Sequence, residues 1–197
     1  MTLSDACSYR LPAEWEDQDA VLLAWPHAQT DWCDMLDEVT AVYLELTRQI
    51  SRFEQVIIAT PDPPQVDRQL TAAAIERGRV HLLEIPTNDT WIRDFGPLTI
   101  YADGAAQLLD FGFNGWGLKF AADRDNRVNR RLVTTPLLQH LPLETRGLIL
   151  EGGSIEVDGR GTLLTTTTCL LGPNRNPQHT RQDLETELGR LFGVQAF

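Results

Sequence analysis

The chain has 197 residues, with 28 Asp and Glu against 17 Lys and Arg, for a formal net charge of −11. Apolar residues make up 42% and charged residues 23%, ordinary globular usage that excludes a disordered chain. The longest apolar run, Ala20 to Trp25, stops at Pro26 and is too short to cross a membrane. The acidic balance offers no basic face to nucleic-acid phosphates. Met1 to Asp19 has neither the basic nor the apolar region of a secretion signal, so the expected address is the cytoplasm. Cys7, Cys33 and Cys169 lack the spacing of a disulfide framework or a structural zinc site.

In chain order, Ala20 to Trp25 reads as a buried strand. Leu36, Val39, Tyr43, Leu46, Ile50 and Phe53 recur at steps of three and four, an amphipathic helix with a start signal at Thr30 or Asp31. Val56 to Ala59 is a second strand, stopped by Pro61, Pro63 and Pro64. Val66, Leu70, Ala73 and Ile75 mark a second helix with Gly78 as its stop, and Val80 to Ile85 is a third strand. This β-α-β-α-β order makes an α/β domain. Leu98–Ala102 and Ala106–Phe111 then flank Asp103-Gly104, a hairpin signal. A glycine-rich loop (Gly112, Gly115, Gly117) leads to a polar helix with Val128, Leu132 and Leu137-Leu138. Leu148–Leu150, Ser154–Val157 and Thr162–Thr168 read as strands, the last two joined by a turn at Asp158–Gly161. A final helix runs from about Thr180 with Leu184, Leu188 and Leu191-Phe192 on one face.

Two stretches repeat one plan. Asp94-Phe95-Gly96-Pro97 and Glu151-Gly152-Gly153 each set an acid near glycine where a strand gives out, with a hairpin behind. A repeat about a pseudo-symmetry axis would bring both acids to one end.

The loop from Thr87 to Pro97 holds two carboxylates, an arginine and a tryptophan between strands, where function is usually placed. Asp94 beside Arg93 reads alone as a surface ion pair. In company it offers a carboxylate able to grip a guanidinium by two parallel hydrogen bonds, while Trp91 offers a cation a π face. Trp116, in Asn114-Gly115-Trp116-Gly117, reads either as a loop aromatic or as one folded on the core. The glycines around it have the wrong spacing for a dinucleotide fingerprint. Arg124, Arg127, Arg130 and Arg131 read as a solvated basic face. His27, His81, His140 and His179 lack metal-ligand spacing, so no metal is expected. Cys169, ending a strand of threonines, reads as a buried thiol.

Pro12-Ala13-Glu14-Trp15, Leu23-Ala24-Trp25-Pro26, Asn88 to Pro97, Phe113 to Gly117, Leu150 to Gly153 and Arg175-Asn176-Pro177 occur in the order found in one family. On these motifs the chain resembles the agmatine deiminases, which belong with the porphyromonas-type peptidyl-arginine deiminases. The resemblance implies a pentein-type α/β propeller of five ββαβ blades. Residues 1–197 would then be the N-terminal portion of one pentein domain, truncated to roughly three blades. It implies that agmatine becomes N-carbamoylputrescine and ammonia through a covalent cysteine intermediate, with no cofactor. Asp94 matches the first guanidinium-binding aspartate and Glu151 the acid behind a catalytic histidine, while Trp91, Asp89 and Trp116 match pocket positions. The family's Gly-His-x-Asp and Gly-Gly-Gly-Asn motifs are absent from these residues, and Thr167 stands where a Glu is common. The chain alone is therefore expected to be inactive, with a small cationic guanidine as its partner and homodimerisation through an exposed propeller edge. The alternatives are a non-catalytic guanidinium-binding or interaction module and a deiminase of peptidyl or free arginine.

Overall fold

The computed structural model describes residues 9–197; Cys7 lies outside the described residues. The chain divides into two compact units.

The parallel-sheet unit comprises Asp17–Ile92 and Ala122–Val128. Its strands β2 (Ala20–Ala24), β3 (Gln55–Thr60) and β4 (Val80–Glu84) pair in that order, all parallel, with Leu22 opposite Ile57 and Ile58 opposite Leu82; β1 (Tyr9–Arg10) lies in the other unit. Central β3 is buried on both faces, and its Val56-Ile57-Ile58-Ala59 run is the unbroken apolar pattern that such a place demands. Helices α1 (Leu36–Ile50) and α2 (Pro63–Ala72) link the strands. Pro63 and Pro64, which end the strand in the sequence reading, also open α2. Asp62 caps it by accepting the Gln65 N–H at 2.9 Å.

Three details differ from the sequence reading. Helix α1 starts at Leu36, because Thr30 spends its hydroxyl and N–H on the His27 carbonyl and closes a turn there. Its inward side carries Thr40, Tyr43, Leu44, Thr47 and Ile50, while Leu46 and Phe53 face out. Thr47 is buried without an orphaned hydroxyl by donating to the Tyr43 carbonyl, and these small residues let the helix roll Leu46 outward. Helix α2 ends at Ala72, short of the Gly78 stop read from the sequence, and Ala74 just beyond it takes the left-handed conformation (φ +51°). The Ile75 N–H closes the end on the Leu70 carbonyl.

Among the described residues, the second unit comprises Tyr9–Glu16, Arg93–Ala121 and Asn129–Phe197. Strands β1 (Tyr9–Arg10), β5 (Leu98–Ala102), β6 (Ala105–Gly112) and β7 (Leu143–Ile149) form a mixed sheet in that order, with β6 and β7 parallel. The β5–β6 turn has positive φ at Asp103 (+49°) and Gly104 (+82°), as the Asp-Gly pair predicts. Strands β8 (Ile155–Val157) and β9 (Leu163–Thr165) form the second hairpin. The helix Arg181–Phe192 begins with a capping box from Thr180 and Asp183 and ends on Gly193 (φ +68°). It buries Leu184, Leu188, Leu191 and Phe192 against Ile100, Leu109, Phe111 and Leu163.

Two further corrections apply, one on each side of β7. The threonine strand ends at Thr165, and Thr166 caps a helical turn, Thr167–Leu170, that carries Cys169. The polar helix shrinks to Val128–Leu132, leaving Leu137 and Leu138 in turns.

Candidate functional site

The short helical turn Ile92–Phe95 presents Asp94, which lies in the second unit. Phe95 is buried and packs on the Phe113 ring at 5.6 Å, and Asn129 donates to the Phe95 carbonyl at 3.0 Å. These contacts fix the backbone under a half-buried carboxylate. Asp94 Oδ2 accepts the Trp116 indole N–H at 2.9 Å and Oδ1 accepts the Gly153 N–H at 3.1 Å. Gly152 and Gly153 are glycines because a Cβ on Gly153 would run into Asp94 Oδ1 and one on Gly152 into the Arg93 carbonyl. Arg93 pairs with Glu14 rather than with Asp94.

Trp116 reaches Asp94 from an unusual backbone. Gly115, Trp116, Gly117 and Leu118 all have positive φ (67°, 57°, 82° and 67°), forming one left-handed turn. For the two non-glycine residues this costs about 1–2 kcal/mol each, strain of the kind stored at functional sites. Asn114 stabilises the turn by accepting the Gly117 N–H at 3.0 Å. The indole stands edge-on to Phe113 at 5.0 Å and to Phe120 at 5.7 Å.

Glu151 is 3% exposed, and both of its oxygens accept from Arg175 Nε, at 2.8 and 3.0 Å. A Cβ on Gly117 would meet the same guanidinium at 3.1 Å. Arg175 therefore links the Glu151 turn to the Trp116 turn. Neighbouring Asn176 accepts the Ile149 N–H and donates to the Ile149 carbonyl, holding the end of β7. The sequence reading gave Arg175 no role, although Arg175-Asn176-Pro177 was the available signal. It also passed over Asp110, which is 2% exposed and satisfied by Asn129, Arg130 and Thr145.

Asp89 and Trp91 belong to the parallel-sheet unit. Asp89 Oδ1 accepts the Thr90 N–H at 2.8 Å and the Asp31 N–H at 3.3 Å. Trp91 is 43% exposed, with its ring 5.8 Å from that of Trp32, whose indole donates to Thr90 Oγ1. Beneath the loop, buried Asp125 accepts the Asn88 N–H at 2.7 Å and the Asp89 N–H at 3.4 Å on Oδ1, while its Oδ2 is buried without a partner. Burial pushes the Asp125 carboxyl up to about 6, with Asp89 and Asp123 adding to the rise and the two backbone N–H groups opposing it. Burial also lowers the His27 pKa. Among the described residues, no group of three or more His, Cys, Asp or Glu side chains is placed to hold a metal ion, and no helix is long and apolar enough to cross a membrane.

The geometry thus unites Asp94, Trp116 and the Glu151 turn in one unit and gives Asp89 and Trp91 their partners in the other. The sequence pattern of porphyromonas-type peptidyl-arginine deiminases matches residues 10–197. The agmatine deiminase of Stutzerimonas stutzeri is 36% identical over 193 residues, 94% of this chain and 51% of that protein. That of Pseudomonas aeruginosa strain LESB58 is 33% identical, over 97% of this chain and 52% of its own length. The chain spans about half the length of the curated relatives it matches. Among solved structures, the C. jejuni agmatine deiminase with substrate bound, a Cys-to-Ser variant, superposes with a TM-score of 0.88 at 35% identity, over 100% of this chain and 57% of that one. The Enterococcus faecalis agmatine deiminase gives 0.82 at 30% identity, over 96% of this chain and 52% of that one. The α/β fold is that of these deiminases, and the chain belongs to the porphyromonas-type peptidyl-arginine deiminase family.

Proposed function

We propose that this chain supplies the substrate-gripping part of a hydrolase that converts agmatine to N-carbamoylputrescine and ammonia. The observation that carries this reading is the setting of Asp94. A carboxylate has about four acceptor sites, and Trp116 and Gly153 take one on each oxygen. One lone pair on each oxygen remains, as a bidentate guanidinium needs. For Trp91 and Asp89, both in the parallel-sheet unit, the family resemblance alone supports the roles of a π surface for a cation and of a second negative charge. Glu151 acts by holding Arg175 and the glycine turn that positions Asp94.

In the reaction, a cysteine thiolate attacks the guanidinium carbon and a histidine protonates the departing ammonia. Water then cleaves the thiouronium intermediate. Asp94 contributes by fixing the planar group for attack. Neither the cysteine nor the histidine motif lies in these 197 residues, so turnover belongs to a chain that carries them. We assign the present residues to the N-terminal portion of a five-bladed propeller, about three blades of it, in the cytoplasm. The order of the motifs and the half-length match to relatives support the N-terminal placement.

The test joins these residues, in one continuous chain, to the C-terminal half of a curated relative and measures ammonia and N-carbamoylputrescine release from agmatine. Release that Asp94→Ala abolishes is the expected result, with none from the 197-residue chain alone. Binding without release would favour a guanidinium-binding module, and faster release from arginine or peptidyl-arginine would favour a sibling deiminase.

A further inference from the structure

Trp116 holds one oxygen of Asp94 from a turn that its own residues do not favour. Trp116 (φ 57°) and Leu118 (φ 67°) are both left-handed, and Leu118 is 71% exposed, so burial of its side chain does not offset the strain. Asn114 ties the turn at its start, accepting the Gly117 N–H on Oδ1 at 3.0 Å and the Leu118 N–H on its carbonyl at 2.9 Å. The other ties come from a segment 57 residues further along the chain. Asn174 donates from Nδ2 to the Gly117 carbonyl at 3.1 Å, and its own carbonyl accepts Asn114 Nδ2 at 2.8 Å. Arg175 lies against the same glycine. A Cβ on Gly117 would meet its Nη1 at 3.1 Å, and one on Gly172 would meet that atom at 2.7 Å. The guanidinium is thus wedged between two glycines, while its Nε donates to both oxygens of buried Glu151.

This second segment is stiff where the first is strained. The Arg175 N–H closes a turn on the Gly172 carbonyl at 3.0 Å, and Pro173 stands second in that turn, where its fixed φ suits the geometry. Asn176 then pins the segment to both backbone groups of Ile149, at the end of β7. A pre-formed turn therefore holds a strained one, through hydrogen bonds that run in both directions.

We infer that Asn174 and Arg175 are positioning residues for guanidinium binding, which keep the left-handed turn closed so that the Trp116 indole stays on Asp94 Oδ2 and the carboxylate keeps one orientation. The inference rests on the proposed reading of Asp94 as the guanidinium grip, and both residues act through Trp116. One neutral hydrogen bond shifts an equilibrium by roughly two- to tenfold. The strain of two left-handed residues pulls the other way, so loss of one tie opens the turn in an appreciable fraction of molecules. The apparent Kd for the cation rises as the closed fraction falls.

Proton–nitrogen NMR on the 197-residue chain tests this, with Asn174→Ala as the main variant because Asn174 is exposed and its side chain is no part of the core. Without ligand, the Trp116 indole N–H signal should move from its parent position toward the one it takes in Asp94→Ala. In an agmatine titration the Kd should rise about two- to fivefold. Arg175→Lys keeps a positive charge beside Glu151 but not the planar group between the glycines, and should move the signal the same way. Should that variant unfold, Asn174→Ala decides alone. Leu118→Gly removes the strain at a left-handed position; added to Asn174→Ala, it should return both the signal and the Kd toward parent values. A residue that only stabilises the fold would lower the urea midpoint and leave the indole signal and the Kd where they were. That result for Asn174→Ala would overturn the proposal, as would a Leu118→Gly double variant that recovers neither readout. A parent chain that binds no agmatine would refute the guanidinium reading instead, and the ligand-free indole signal would still decide whether Asn174 and Arg175 hold Trp116 on Asp94.

Discussion

Replacing Asp125 with Asn removes a buried charge while keeping an oxygen for the N–H groups of Asn88 and Asp89. The side chain is 1% exposed, and its second oxygen has no partner. Its carboxyl rises from 3.8 to about 6, so the folded chain holds this proton more tightly than the unfolded chain does. The associated stability is fully present below pH 3.8 and is lost as pH rises through about 6. At about 1.4 kcal/mol per pKa step, the full loss is about 3 kcal/mol. Part has gone by pH 4.5, so about 2 kcal/mol remains to be lost between pH 4.5 and 8. Urea unfolding of both proteins across that window should show Asp125→Asn gaining on the parent by that amount. The asparagine amide adds an offset that does not vary with pH, so the reading is the slope of the difference. A difference that stays flat with pH would refute the reasoning.

Arg175→Met leaves Glu151 buried and unpaired. It should cost about 3–5 kcal/mol in urea unfolding, and adding Glu151→Gln should recover most of the loss. Ala74→Gly relieves a left-handed alanine at the end of α2 and should raise stability by about 1 kcal/mol, visible as a higher Tm.

Much of the fold is legible where local chemistry decides it. The apolar run of β3, the Asp103-Gly104 turn and the Thr180 cap each carry their cause within a few residues. Ala74 overrides Gly78 because tertiary packing ends α2 early, at the price of a strained alanine. The roll of α1 was hidden because apolar spacing alone ranked Leu46 above Thr47, and a buried threonine needs the Tyr43 carbonyl to be acceptable. At the site, the acid–glycine repeat foreshadows the meeting of Asp94 with the Gly153 turn. The Trp116 hydrogen bond was not legible, since it depends on a left-handed turn that few sequences adopt. Arg175 and Asp125 escaped for another reason: their partners lie 24 and 37 residues away in the chain.

The central claim, that Asp94 is set to grip a guanidinium, is tested most directly by following the Trp116 indole N–H and the Gly153 amide by proton–nitrogen NMR. Agmatine is titrated into the chain, with Trp116→Phe assigning the indole signal. Both groups donate to Asp94, so both signals should move and saturate with a Kd of about a millimolar or weaker. Putrescine, which keeps the amine and lacks the guanidinium, should leave them unmoved, as should agmatine added to Asp94→Ala. Equal shifts with agmatine and putrescine, or still signals with agmatine up to tens of millimolar, would contradict the claim.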